Sequence, residues 1–177
     1  MAIDDCEGTS YECNKFVFNE STSAAGGGAI LVDTTSTGGV VIAANHIGLD
    51  PSGTIDRGNG ARGIDLQTGS GPTTVGGTTA ADRNVISGNG DDGIIIWNSD
   101  GNTIVGNYIG TDVTGNAAIP NAADGVVLGS GSANNTIGQS GAGNVLSGNA
   151  NDGFENDATG AGNTLHANTI GLGADGT

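Results

Sequence analysis

The chain has 177 residues, 35 of them glycine, with 4 Lys and Arg against 19 Asp and Glu and a formal net charge of −15. So few cations exclude a phosphate-neutralising nucleic-acid surface, and the longest apolar run, residues 93–97, is far short of the ~20 residues of a membrane-spanning helix. Val, Ile, Leu and Phe make up about a fifth of the sequence, which lies on the border of intrinsic disorder, so composition alone specifies no fold.

Residues 1–27 match no repeat. The start, Met1 to Cys6, lacks the basic and apolar regions of a signal peptide, leaving open a signal already removed or a cytosolic chain. Cys6 and Cys13 are the only cysteines. They are close enough to close a small disulfide loop, which favours an oxidising compartment over two free thiols. Phe16 and Phe18 alternate like a strand, so this segment is expected to be an N-terminal cap or an irregular first coil.

From Gly28 onward the chain repeats. Asn84-Val-Ile-Ser-Gly-Asn89 returns as Asn144-Val-Leu-Ser-Gly-Asn149, and Asn45-His-Ile-Gly48 returns as Asn107-Tyr-Ile-Gly110 and Asn168-Thr-Ile-Gly171. Units open at Gly28, Gly63, Gly93, Gly125 and Gly153, giving about five coils of roughly thirty residues. These glycines read as turn positions with positive φ. Each unit splits into three short β-branched pieces bounded by turn residues, for example 94–96, 102–105 and 107–110, and no stretch sustains a helical period. The fold class is therefore all-β, a three-sided parallel solenoid, with odd and even coils carrying their loops at different positions. Even coils insert 76–83 and 139–143 before the third strand. Odd coils insert 50–59 and 112–121 after it.

Aligning the units produces columns. Ile30, Ile64, Ile94, Val126 and Phe154 form one inward wall, with Val32, Leu66, Ile96 and Leu128 two residues along. Ile42, Val75, Ile104, Ile137 and Leu165 form the second wall, and Ile47, Ile86, Ile109, Leu146 and Ile170 the third. Asn45, Asn84, Asn107, Asn144 and Asn168 precede the third strand on every coil. At a turn, such a column passes side-chain amide hydrogen bonds up the stack, so these residues are expected to form a structural ladder.

The phrases Asp-Gly-Ile-x-Ile at 92–96, Asn-Thr-Ile-x-Gly-Asn at 102–107 and Asn-x-Ile-Gly-Thr-Asp at 107–112 resemble right-handed parallel β-helix repeat proteins of the pectate-lyase-like superfamily. The resemblance implies a right-handed β-helix over residues 28–177. Members of that group act on acidic polysaccharides as lyases, hydrolases or epimerases, or are surface and adhesive proteins without known chemistry. Residues 173–176 fall where 112–115 open a long loop. The chain is accordingly expected either to be truncated within a longer protein or to stack end to end as a homo-oligomer.

A uronan-cleaving site needs cations or Ca²⁺ for the carboxylate, together with a base and an acid. The cations are Lys15, Arg57, Arg62 and Arg83; Arg57 and Arg62 flank a loop, Arg83 immediately precedes a ladder asparagine, none falls on the first strand's face, and no catalytic set is assigned. Outward positions of the first strand and its end supply the candidate carbohydrate-binding residues: Trp97, Asp33, Asp65, Gln67, Glu155 and Asp157. Trp97 either stacks on a sugar or packs under a loop. Glu155 and Asp157 lie about 7 Å apart on one strand with no aligned cation. Turn aspartates at 91–92, 124 and 152 make a Ca²⁺ between coils the only cofactor worth testing; without it, none is expected. Thr pairs at 34–37 and 73–79 form no Thr-x-Thr array of the kind an ice-binding face needs. The reading is an extracellular or cell-surface module, structural or adhesive, with polysaccharide as partner. The alternative is a fragment of a polysaccharide lyase or uronan epimerase acting on acidic glycans.

Overall fold

The computed structural model of the chain describes residues 10–12, 15–16, 28–33 and 39–177. The disulfide expected between Cys6 and Cys13 lies outside them. Strands β1 (Ser10–Glu12) and β2 (Lys15–Phe16) come first. The next turn holds β3 (Gly28–Val32), β4 (Val40–Ala43) and β5 (His46–Ile47), and the one after it β6 (Arg62–Leu66), β7 (Thr73–Gly76) and β8 (Val85–Ile86). Then come β9 (Ile94–Ile96), β10 (Thr103–Val105) and β11 (Tyr108–Ile109), followed by β12 (Val126–Leu128), β13 (Thr136–Ile137) and β14 (Val145–Leu146). The last turn contains β15 (Phe154–Asn156), β16 (Thr164–Leu165) and β17 (Thr169–Ile170).

Every third strand pairs in parallel, so three sheets run along one axis. The first holds β3, β6, β9, β12 and β15; the second β1, β4, β7, β10, β13 and β16; the third β2, β5, β8, β11, β14 and β17. The architecture is the expected parallel β-solenoid, and the registers match the sequence columns: Ile30, Ile64, Ile94, Val126 and Phe154 are successive partners. So are Ile42, Val75, Ile104, Ile137 and Leu165. The three walls meet in a single core. β-branched residues suit these short strands because their stiff side chains pack on a pleated surface.

The asparagine column is a continuous ladder. Each Oδ1 accepts both the backbone N–H and the side-chain amide of the asparagine one coil earlier, from Asn45 to Asn84 at 3.0 Å through to Asn144 and Asn168 at 2.9 Å. The second amide hydrogen goes to a strand carbonyl, as from Asn107 to Val75 and from Asn144 to Ile104. The other two corners carry ladders of their own. Asn59, Asn89, Asn121 and Asn149 form one, and Asn102, Asn135 and Asn163 the other, with Thr73 bonded to its first member.

The unit-opening glycines serve a different purpose from the positive φ expected of them. Gly28, Gly63, Gly93, Gly125 and Gly153 are absent from the positive-φ positions. A Cβ at Gly93 would sit 2.6 Å from the Gly125 carbonyl oxygen and 2.7 Å from Ile109 Cγ2. The requirement is close approach of stacked backbones to the core, which any side chain would block.

Alternation of loops also has a steric cause. The odd-coil loops close through antiparallel bridges, Leu49 to Asp56 and Thr111 to Ala118, and fold over the even coil that follows. There Gly88 lies against Asp56 and Gly148 against Ala118. Successive loops then join directly, Val113 N–H to Gly53 O at 2.9 Å and Ala174 N–H to Gly115 O at 3.0 Å. A loop is thicker than the ~4.8 Å between coils, so it occupies the height of two, and the intervening coil goes without.

Candidate functional site

The outward side of the first sheet carries two files of side chains. Leu31, Asp65, Ile95, Val127 and Glu155 are successive cross-strand partners. One place beyond the inward file come Asp33, Gln67, Trp97, Gly129 and Asp157, held by continuing backbone bonds from Gln67 to Val32, Trp97 to Leu66, Gly129 to Ile96 and Asp157 to Leu128. The six candidate residues of the sequence therefore share one face. Strand alternation places them there, and register stacks them.

They are not equivalent. Trp97 is 46% exposed, and its ring lies over Gly129, occupying the space a side chain there would take. Of the two sequence readings for this residue, the exposure fits an open aromatic surface rather than packing under a loop. Gln67 is half-buried and Asp157 exposed. Asp65 is fully buried; its carboxylate accepts from Arg62 Nη1 at 3.0 Å and from the Gln67 amide. Asp65 therefore has no surface to offer a ligand.

Arg62 opens β6, at the end of the loop it flanks, and it gathers the acidic residues at this end of the sheet. Besides Asp65, its Nε lies 3.3 Å from Asp91 and 3.5 Å from Asp92. Arg83 stacks on the Tyr108 ring at 4.0 Å and donates to Gly106 O. Neither arginine is disposed to meet a uronate carboxylate. The turn aspartates stack by bonding forward: Asp92 accepts the Asp124 N–H, and Asp124 the Asp152 N–H. Burial is the main cause that raises Asp92 above its ordinary 3.8, and the charge of Asp91 adds to it. Glu155 is also raised, first by Asp157 and then by Asp124. No three His, Cys, Asp or Glu among the described residues come together as metal ligands. No described helix is long and apolar enough to cross a membrane.

A second surface lay hidden in the sequence. Thr74, Thr103, Thr136 and Thr164 are cross-strand partners on the outward side of the second sheet, one per coil. At its far end the file enters a shallow trough of about 280 Å³ lined by Thr136, Gly138, Gln139, Ser140, Thr164 and His166. The signal was the recurring Asn-Thr-Ile phrase, whose threonines align across coils rather than along the chain. His46, by contrast, is half-buried beneath its own loop, its Nδ1 3.4 Å from Asp50 O.

Fold and faces together define a parallel β-solenoid braced by asparagine ladders at its corners. Among known proteins, no family model, curated protein or solved structure matches the chain.

Proposed function

We propose that the chain is a non-enzymatic extracellular module, structural and adhesive, of the right-handed β-helix kind found in the pectate-lyase-like superfamily. Its ligand in this reading is a neutral polysaccharide lying on the outward face of the first sheet. The observation that carries the reading is the Trp97 ring, 46% exposed and lying against Gly129. An aromatic face stacks on the C–H face of a sugar ring. Gln67, Asp157 and Glu155 on the same face supply acceptors for hydroxyls. Neutrality follows from charge: a formal −15 repels polyanions, and Arg62 and Arg83 are already engaged. That engagement takes Arg62 and Arg83 out of uronan lyase or epimerase chemistry, which needs a cation or Ca²⁺ at the substrate carboxylate. It leaves only loop residue Arg57 exposed among the arginines.

The test is retention on immobilised cellulose, xylan and mannan, with pectate and alginate as acidic controls. The expected outcome is retention on at least one neutral polymer and none on the acidic pair, with Trp97→Ala weakening binding about tenfold. Binding unchanged in Trp97→Ala removes this face from the reading. Release of unsaturated uronates from pectate or alginate in the presence of Ca²⁺ overturns its non-enzymatic part.

A further inference from the structure

We propose that the buried carboxylate of Asp65 is a positioning group that holds the Gln67 amide with its oxygen outward, so that the Trp97 face takes hydroxyl donors and turns away carboxylates. The inference rests on the neutral-glycan reading above and deepens it from ring stacking to polar specificity. Asp65 occupies an outward strand position between Leu31 and Ile95, yet it is fully buried. A carboxylate held out of water is costly unless charged and hydrogen-bonding partners surround it. Arg62 Nη1 donates to Oδ2 at 3.0 Å, and the Gln67 side-chain amide donates to Oδ1. Arg62 is held in turn by Asp91 and Asp92, 3.3 and 3.5 Å from its Nε.

A carboxylate only accepts, so the Gln67 amide must turn its NH2 group toward Asp65. The opposite orientation would set the amide oxygen against a carboxylate oxygen. Gln67 Oε1 is thereby turned away from Asp65, and it has no hydrogen-bond partner among the described residues. Gln67 is half-buried and stands one coil from Trp97 in the same outward file, about 4.8 Å along the axis. On the other side of Trp97 the file continues with Gly129, which has no side chain to offer, and Asp157 comes only one coil further on. Gln67 is therefore the nearest polar side chain to the ring within this file. A sugar stacked on Trp97 meets an acceptor beside it. A hydroxyl can donate to that oxygen; a uronate carboxylate cannot, and it also faces the charge of Asp65 behind the amide.

Asp65→Asn tests the lock without emptying the site. Arg62 still needs an acceptor, so the oxygen of the new amide stays with it and the new NH2 group faces Gln67. Gln67 must then turn its own oxygen inward and its NH2 group outward. The whole chain and its variants are titrated calorimetrically with cellohexaose, xylohexaose, mannohexaose and hexagalacturonate. The native chain is expected to bind at least one neutral hexaose and to ignore hexagalacturonate. In Asp65→Asn the preference for the neutral hexaose is expected to fall about tenfold, through hexagalacturonate binding gained. Asp56→Asn removes the same charge from an exposed odd-coil loop and is expected to keep the native preference. Gln67→Met keeps the Trp97 ring and is expected to weaken the neutral hexaose about fivefold. NMR of the unbound chain supplies a readout apart from binding: exchange of the Gln67 side-chain amide is slow in the native chain and faster in Asp65→Asn. A native preference in Asp65→Asn, an equal gain in Asp56→Asn, unchanged neutral binding in Gln67→Met, or a Gln67 amide already fast in the native chain each overturns the proposal. In those cases the Trp97 reading stands if Trp97→Ala still weakens binding. If the native chain binds none of the neutral hexaoses, both fall.

Discussion

Buried asparagine amides are costly unless every donor and acceptor is met, and in this chain the ladder asparagines meet them between an asparagine one coil away and a backbone carbonyl. Asn107 shows the arrangement at its fullest. Its Oδ1 takes the Asn84 N–H and amide, and its own N–H and amide reach Asn144 and the Val75 and Val105 carbonyls. Replacing it by alanine strands several of these groups at once, each worth about 1–3 kcal/mol when left unpaired in the interior. Asn107→Ala is expected to lower unfolding free energy in urea by about 3–5 kcal/mol. Asn168→Ala, at the half-buried end of the same ladder, is expected to cost clearly less. Equal losses at both positions would show that the ladder is not cooperative in burial.

At the scale of elements, the odd-coil loops are held by a single carboxylate each. Asp50 accepts from the Ser52 hydroxyl and from the Thr54 and Ile55 N–H groups. Asp112 does the same with Thr114, Asn116 and Ala117. Although desolvation opposes it, this bonding draws the Asp50 carboxyl from 3.8 down to about 2 and lowers Asp112 as well. A depressed folded-state value means the ionised form stabilises the fold: the contribution is present above 3.8 and lost as pH falls toward about 2. Asparagine keeps one acceptor oxygen and removes the charge. The stability gap between the native chain and Asp50→Asn is therefore expected to close over that window, as read by urea midpoints at stepped pH. Asp92 and Glu155 are raised, so their contribution has the opposite sign, present at low pH and lost as pH rises through their folded values. A gap that stays constant down to pH 2 would remove the Asp50 carboxylate from loop stability.

Across the whole molecule, each coil packs only on its neighbours, so stability is close to a sum of coil and interface terms. Position along the axis then decides what a core residue is worth. Ile104 is fully buried mid-stack, whereas Leu165, in the same wall, is 47% exposed on the last coil. Ile104→Ala is expected to cost about 2–5 kcal/mol, and Leu165→Ala about 1 kcal/mol or less. Hydrogen exchange gives an independent check: slowest amides in β7, β10 and β13, and fastest in β16 and β17. Uniform protection would mean the solenoid opens as one unit.

Much of this fold could be read from order alone. Strand alternation and a unit length near thirty residues place Ile30, Ile64 and Ile94 in one file because a parallel solenoid returns the chain to the same register each turn, and the first asparagine ladder follows by the same logic. Other features depend on neighbours that are distant in sequence. Asn59 and Asn121 follow loops that their even-coil partners lack, so their column is out of step in the sequence and aligned only in space. The threonine file runs across strands, 28 to 33 residues between members, where a search along the chain finds no array. Asp65 reads as an outward carboxylate by alternation, yet Arg62 and Gln67 bury it. The sequence by itself thus determined the solenoid, its three walls and the face that bears Trp97, because those rest on local periodicity. Tertiary structure alone decided which outward groups remain available, because exposure is set by the coil above and the coil below.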